Sequence, residues 1–392
     1  MLAIDYPLSP VGNFSSIMDA SHNALQWLYT HGPDGRECSN SRGSAPLLVA
    51  GDSAGGGSAV SVLLLAREMP ERWPQLAGGF VYSPWTNLKC DTPTYYYNAF
   101  GTATSRDGKV AYSGDIVFQA PPRENAREYL QSALDYVGRV HTMLSDPVAS
   151  PFYREPADFE GLPPILVTVS NTESIAGDSI VLANKAAQGG VQVHMDVYPG
   201  MWHDFPMYSE GCGSNQPLWQ GSLALNRTGE FVDEVARVWR KAQDMLGPQQ
   251  LGLMYWPQCA TRSPHTWIHY GVAGDRTEPW IPLEPIELLC HEAAARFNDD
   301  PPITLDGSQA LAATSVPAGA SRDVVFFLSG FASCALLGLA TAAIWQRLRV
   351  QGSCSGPRRR DAAGAVRSFR SGTTELVQGG DERKRRGTST EA

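Results

Sequence analysis

A serine lies between glycines in the sequence G-D-S-A-G-G at residues 51–56, where an apolar run ends and a helical pattern begins. A sharp turn from strand to helix pushes a hydroxyl out of the top of a sheet, and it requires glycine wherever a side chain would collide with the turn. Free amides at the start of the helix would face a developing oxyanion. We therefore interpret Ser53 as the nucleophile of an acyl-transfer reaction and the N–H of Ala54 as an oxyanion donor.

A serine hydroxyl is a poor nucleophile without a neighbouring base, and His203 is the histidine best placed to serve. It follows the predicted strand 192–198 in the sequence Y-P-G-M-W-H-D-F at residues 198–205. Loops at the carboxyl ends of parallel strands carry the active sites of such sheets. His194, by contrast, lies inside the strand pattern and is interpreted as a packing residue.

The third member of such a site is an acid that orients the imidazole, and it should follow the predicted strand 165–169. Glu173 and Asp178 are the candidates in this segment. Glu173 is closer to the end of the strand, whereas Asp178 falls where a first-turn acid of the next helix is expected. The position along the chain favours Glu173 and keeps Asp178 as the alternative acid.

Short apolar runs alternate with amphipathic stretches up to about residue 246, a pattern typical of an α/β domain with a mainly parallel sheet. We assign residues 1–246 to this domain. Residues 92–145 interrupt the alternation and are assigned to a cap or lid insertion. The predicted strands are 2–5, 46–50, 79–82, 165–169 and 192–198, and the predicted helices include 16–30, 54–68 and 228–246.

The sequence resembles the hormone-sensitive-lipase-like family of α/β-hydrolases, which includes arylacetamide deacetylase and many microbial carboxylesterases. The matching motifs are D-Y-P-L-S-P at 5–10, G-D-S-A-G-G at 51–56, S-P-W at 83–85, D-P at 146–147 with S-P at 150–151, and G-M-W-H-D-F at 200–205. The resemblance implies an α/β-hydrolase fold and hydrolysis of carboxylic esters with small or medium acyl groups, without a metal or an organic cofactor. In this family Glu173 matches the position of the acid, and the order serine, acid, histidine is the expected one.

One family feature is absent from the sequence. In the family, an H-G-G-G loop placed before the strand that leads to Asp5 supplies oxyanion amides, and this chain begins after that point. We therefore expect an amino-terminal truncation that also removes the first strands of the sheet. Ala54 is then the recognisable oxyanion donor. The alternative hypothesis is a catalytically inactive hydrolase-fold protein, either truncated or used for adhesion or binding.

The carboxyl-terminal third is predicted to contain a membrane anchor. Residues 324–345 are apolar without a charge, which is long enough to span a bilayer as a transmembrane helix. Residues 247–300 have no assigned role, 301–323 have the composition of a linker, and 346–392 form a basic tail predicted to be disordered. The positive-inside rule then predicts a single-pass protein with a cytoplasmic tail and a lumenal or extracellular hydrolase domain.

Composition limits the classes of partner. The net charge of -9 argues against a nucleic-acid partner, because phosphate binding needs a basic face. The 7 cysteines are scattered without C-x-x-C spacing, so the sequence gives no support to a zinc site. The expected partners are a small-molecule or lipid ester as substrate and a membrane through residues 324–345.

Overall fold

A parallel sheet of seven strands runs through the computed structural model of the chain, in the order β1-β9-β2-β3-β6-β7-β8. The structure describes residues 1–32, 45–104, 106–211 and 216–246, together with the strands 266–270 and 324–328. The strands of this sheet are β1 Leu2–Ala3, β2 Leu47–Asp52, β3 Gly78–Tyr82, β6 Ile165–Ser170, β7 Val193–Tyr198, β8 Thr266–Tyr270 and β9 Val324–Leu328. A separate antiparallel hairpin pairs β4 Gly101–Thr104 with β5 Val110–Ser113.

The sheet is covered on both faces, and the apolar run of β2 shows why. Leu47 and Val49 face one hydrophobic core, whereas Leu48 and Ala50 face the other. Successive side chains of a strand point to opposite faces, so a strand buried on both sides needs apolar residues throughout. The five strands predicted from such runs are confirmed, with boundaries shifted by up to two residues.

Helices supply the two covering layers. They are α1 Phe14–His31, α2 Ser53–Glu68, α3 Thr94–Tyr97, α4 Pro122–Tyr136, α5 Ala176–Gln188 and α6 Trp219–Leu246. On one face, α6 packs Phe231, Val235 and Trp239 against the sheet. Residues of α1, α2 and α5 belong to the core of the other face. Full burial of each large apolar side chain contributes roughly 1.5–3 kcal/mol to the stability of this arrangement.

The segment predicted as a cap or lid, residues 92–145, contains α3, the β4–β5 hairpin, α4 and a 3₁₀ turn at His141–Ser145. Tyr95 of α3 is fully buried and meets Tyr129 of α4 edge to face, with 5.1 Å between the ring centroids. Tyr97 and Tyr112, by contrast, are 86% and 71% exposed. The segment is therefore anchored to the domain through α3 and α4 and presents aromatic side chains to solvent.

Strand β9 corrects the prediction of a transmembrane helix at 324–345. Residues 324–328 lie between β1 and β2 and pair with both in parallel, so that Phe326 is opposite Leu2 on one side and Val49 on the other. Among the described residues, no helix is both long enough and apolar enough to cross a bilayer. The prediction is wrong for 324–328 because an all-apolar run suits an interior strand of a parallel sheet as well as a membrane helix.

The sheet also extends past the predicted domain end at residue 246. Strand β8, at 266–270, pairs in parallel with β7 and lies within the predicted unassigned segment 247–300. The rest of that segment, the predicted linker 301–323, residues 329–345 of the predicted span and the predicted tail 346–392 lie outside the described residues.

Replacing Phe326 with proline tests the place of β9. Proline has no backbone N–H and would leave a ladder acceptor unsatisfied in a strand paired on both sides, so we expect a loss of about 1–3 kcal/mol in the free energy of unfolding. Urea denaturation of Phe326→Pro beside Phe326→Ile, which keeps the amide, measures this difference. Equal stability of the two variants would contradict the pairing.

Candidate active site

Ser53 lies at the junction of β2 and α2, as the first residue of the helix. Its φ of +53° falls in the left-handed region, which is costly for serine and favours glycine or asparagine. The backbone is held there because the N–H of Trp85 donates to the carbonyl oxygen of Ser53 at 2.9 Å. The serine is therefore positioned by a strained turn that a neighbouring loop stabilises.

The glycines after Ser53 allow that neighbouring loop to approach. A Cβ atom on Gly57 would lie 2.1 Å from the carbonyl oxygen of Trp85, and one on Gly56 would lie 2.9 Å from Cα of Pro84. Both contacts are with backbone atoms, which cannot rotate away. The first turn of α2 consequently packs directly on residues 83–85.

Glu173 and His203 contact each other, and Glu173 also contacts Ser83 of this loop. Nδ1 of His203 donates to Oε2 of Glu173 at 2.6 Å. The other carboxylate oxygen, Oε1, accepts from the N–H of Ser170 at 2.6 Å and from the hydroxyl of Ser83 at 2.9 Å. Glu173 is fully buried and His203 is 7% exposed. The structure thus brings together the histidine and the favoured acid of the sequence analysis.

Burial and charge act in opposite directions on this pair. Desolvation raises the pKa of Glu173, and its hydrogen bond and attraction to His203 partly offset that rise. Burial lowers the pKa of His203, but the carboxylates of Asp204 and Glu173 outweigh it and hold that pKa well above its ordinary value. A carboxylate beside the imidazole favours the charged form of the ring.

Asp204 is a second carboxylate at the imidazole, and it was not among the predicted site residues. Its Oδ2 atom lies 3.1 Å from Nε2 of His203, and its φ is +54°. The two groups attract but are not aligned as a hydrogen bond, so Nε2 has no hydrogen-bond partner among the described residues. The sequence feature that could have identified Asp204 as a site residue is its position directly after His203.

Asp178, the alternative acid, has different partners. It lies in the first turn of α5, where Oδ2 accepts from the N–H of Asn87 at 3.0 Å and the hydroxyl of Tyr95 at 2.9 Å, and Oδ1 from Thr92 at 3.4 Å. Burial raises its pKa to about 8, with hydrogen bonds opposing the rise. Asp178 therefore connects α5 to residues 87–95, whereas Glu173 contacts the imidazole.

Ala54, the predicted oxyanion donor, is the second residue of α2. The first four N–H groups of a helix have no acceptor within it, and the positive end of the helix dipole lies there. The amide of Ala54 is therefore able to donate to an oxyanion bound beside Ser53. Within the described ranges, no group of three or more His, Cys, Asp or Glu side chains could hold a metal ion.

Comparison with known proteins places these features in a family. Residues 1–207 match the family model described as alpha/beta hydrolase fold, so the chain belongs to that family. It is 27% identical over 209 residues to an esterase of Acinetobacter venetianus, covering 53% of this chain and 58% of the relative. It is 27% identical over 233 residues to an acetyl-hydrolase of Streptomyces hygroscopicus, covering 59% and 64%. The chain thus spans less than two thirds of either relative.

Among solved structures, the chain is similar to an esterase from the bacterial hormone-sensitive lipase family. The identity is 29%, the match covers 58% of this chain and 63% of that one, and the TM-score is 0.43. The resemblance predicted from the sequence motifs is confirmed in that the relatives of this chain are α/β-hydrolase esterases.

Matched amide substitutions distinguish the role of Glu173 from that of Asp178. Glu173→Gln should lower kcat by roughly 10³–10⁴-fold, because the imidazole loses the carboxylate that selects its tautomer and stabilises its charged form. Asp178→Asn should stay within a few-fold of wild type, because Asp178 contacts residues 87–95 and not the imidazole. Turnover of an activated ester, with circular dichroism as a check on folding, measures both. A larger loss in Asp178→Asn would reverse the assignment.

The charge of Asp204 is tested by the pH profile of kcat/KM. Its carboxylate raises the pKa of His203, and a general base must be neutral, so it moves the rising limb of the profile to higher pH. Asp204→Asn should therefore shift that limb to lower pH, and asparagine tolerates the left-handed backbone. Glu234→Gln, a partly buried carboxylate of α6 that pairs with Arg237, is the control without a shift. An unchanged limb in Asp204→Asn would argue against this influence.

Proposed function

We propose that this chain is a serine carboxylic ester hydrolase that acts through an acyl-enzyme. The hydrogen bond between Glu173 and His203 carries the proposal, because a buried carboxylate on Nδ1 is the arrangement that prepares an imidazole for general-base catalysis. The turn that presents Ser53 supports it. The relatives named esterase and acetyl-hydrolase support the same reaction class.

In the first half of the proposed reaction, Nε2 of His203 takes the proton of the Ser53 hydroxyl as Oγ attacks the ester carbonyl. The N–H of Ala54 stabilises the negative charge that forms on the carbonyl oxygen. Glu173 stabilises the imidazolium and remains ionised itself. Collapse of the tetrahedral intermediate breaks the ester C–O bond, and the alcohol leaves with the proton from Nε2.

The second half releases the acyl group. A water molecule gives a proton to Nε2 and attacks the acyl carbon on Ser53. The bond to Oγ then breaks, and the proton returns to the serine as the carboxylic acid leaves. Oδ2 of Asp204, 3.1 Å from Nε2, stabilises the imidazolium that forms in both halves of the proposed reaction.

The proposed substrates are carboxylic esters with small or medium acyl groups. Trp85 and the aromatic residues 95–97 are the side chains to consider for an apolar pocket. Trp85 packs against Tyr129 and Tyr136, and Tyr95 is fully buried, so these side chains belong to the core. Among the aromatic side chains of α3, Tyr96 and Tyr97 are exposed.

The test is hydrolysis of p-nitrophenyl acetate and butyrate by the full chain and by Ser53→Ala. We expect activity in the wild type and a loss of roughly 10⁴-fold or more in the variant, because the reaction then has no nucleophile. Ser58→Ala is the matched control, since Ser58 is a buried serine of α2 whose hydroxyl bonds to Tyr136 and Ala54. It should retain activity within a few-fold.

Covalent labelling with a fluorophosphonate is a second test of the proposed function. It should modify the wild type at Ser53, and peptide mass spectrometry identifies the labelled residue. Activity that survives Ser53→Ala would overturn the role of Ser53. A folded wild type that neither turns over ester nor becomes labelled would favour the inactive, binding interpretation of the fold.

A further inference from the structure

The loop that follows β3, residues 83–85, contacts every segment of the proposed triad. The N–H of Trp85 donates to the carbonyl oxygen of Ser53 at 2.9 Å. The hydroxyl of Ser83 donates to Oε1 of Glu173 at 2.9 Å. The N–H of Asp204, the residue after His203, donates to the hydroxyl oxygen of Ser83 at 3.2 Å. The proposed mechanism assigns no step to this loop.

The hydroxyl of Ser83 has a fixed orientation. A serine hydroxyl carries one proton, and an amide N–H can only donate. The amide of Asp204 therefore takes a lone pair of Oγ, and the hydroxyl proton is directed to the carboxylate of Glu173. With Ser170 and Ser83 both donating to Oε1, the second oxygen Oε2 is left to accept from His203.

The backbone of Ser83 supports a role for its side chain. Ser83 is 1% exposed, has a φ of +44° and donates its N–H to the carbonyl oxygen of Thr168 at 2.8 Å. Glycine would adopt this backbone at lower cost, whereas a β-branched residue would be strongly strained. A serine here thus places a hydroxyl against Glu173 in spite of a conformational penalty.

We propose that Ser83 is a positioning residue that acts on the reaction through Glu173. Its hydroxyl orients the carboxylate toward Nδ1 of His203 and, through the amide of Asp204, joins the acid to the loop that carries the base. This inference rests on the proposed esterase function, because its readout is catalysis by Ser53 and His203.

The first measurement is the steady-state kinetics of Ser83→Gly in the full chain. Glycine removes the hydroxyl and suits the backbone, so the variant should fold with a Tm no lower than wild type by more than a few degrees. We expect kcat to fall by roughly 10- to 100-fold, the usual effect of losing a hydrogen bond to a charged group, with KM within about threefold. Ser61→Ala, which removes another buried, hydrogen-bonded serine hydroxyl, should leave kcat within a few-fold.

The decisive measurement is the same substitution in a Glu173→Ala background, which removes the acceptor of the Ser83 hydroxyl. A residue that acts through the carboxylate has little left to orient once the carboxylate is gone, so Ser83→Gly should then cost less than about threefold. A general structural role would instead give the full 10- to 100-fold loss again. The rate of fluorophosphonate labelling of Ser53, followed over days by mass spectrometry, extends the comparison to slow variants.

The outcomes separate the two proposals. If Ser53→Ala retains ester hydrolysis, the proposed function itself is wrong. If Ser53→Ala abolishes activity but Ser83→Gly leaves kcat unchanged, or its cost is equal in both backgrounds, the function stands and the positioning role of Ser83 is overturned. A kcat loss that disappears in the Glu173→Ala background supports it.

Discussion

The hydrogen bond between Glu173 and His203 places the strictest demand on the structure, because it buries a carboxylate completely. Removing a carboxylate from water is costly unless hydrogen bonds replace its hydration. Three donors do so here, and they come from the strand end at Ser170, the loop at Ser83 and the loop at His203. Three segments distant in sequence must therefore meet at one point.

The parallel sheet makes that meeting possible. Strands β3, β6 and β7 are neighbours and run in the same direction, so the loops that follow them leave at one edge. Strand β2 runs beside β3 and delivers Ser53 to the same edge. Covering both faces of the sheet with helices fixes these strands, and the site depends on that rigidity because its contacts tolerate little displacement.

Backbone strain is concentrated where the site needs a sharp change of direction. Ser53, Ser83 and Asp204 all have positive φ without being glycine. The same is true of Cys90, Gln119 and Arg139, so the conformation by itself does not define a site. What distinguishes the first three is their contacts: Ser83 donates to Glu173, Asp204 contacts His203 and Ser83, and the backbone of Ser53 accepts from Trp85 of the same loop as Ser83. Surrounding contacts of this kind are what sustain strained residues at functional sites.

Local patterns in the sequence determined much of this protein: the buried strands, the helices α1, α2 and α6, the turn at Ser53 and the preference for Glu173 over Asp178. These features depend on periodicity and on neighbouring residues, which a sequence displays directly. The tertiary structure alone decided that residues 324–328 form a strand between β1 and β2, and that Ser83 and Asp204 contact the acid and the base. An apolar run does not specify the strand with which it will pair. A hydrogen bond between loops far apart in sequence forms only when the sheet has brought those loops to the same edge.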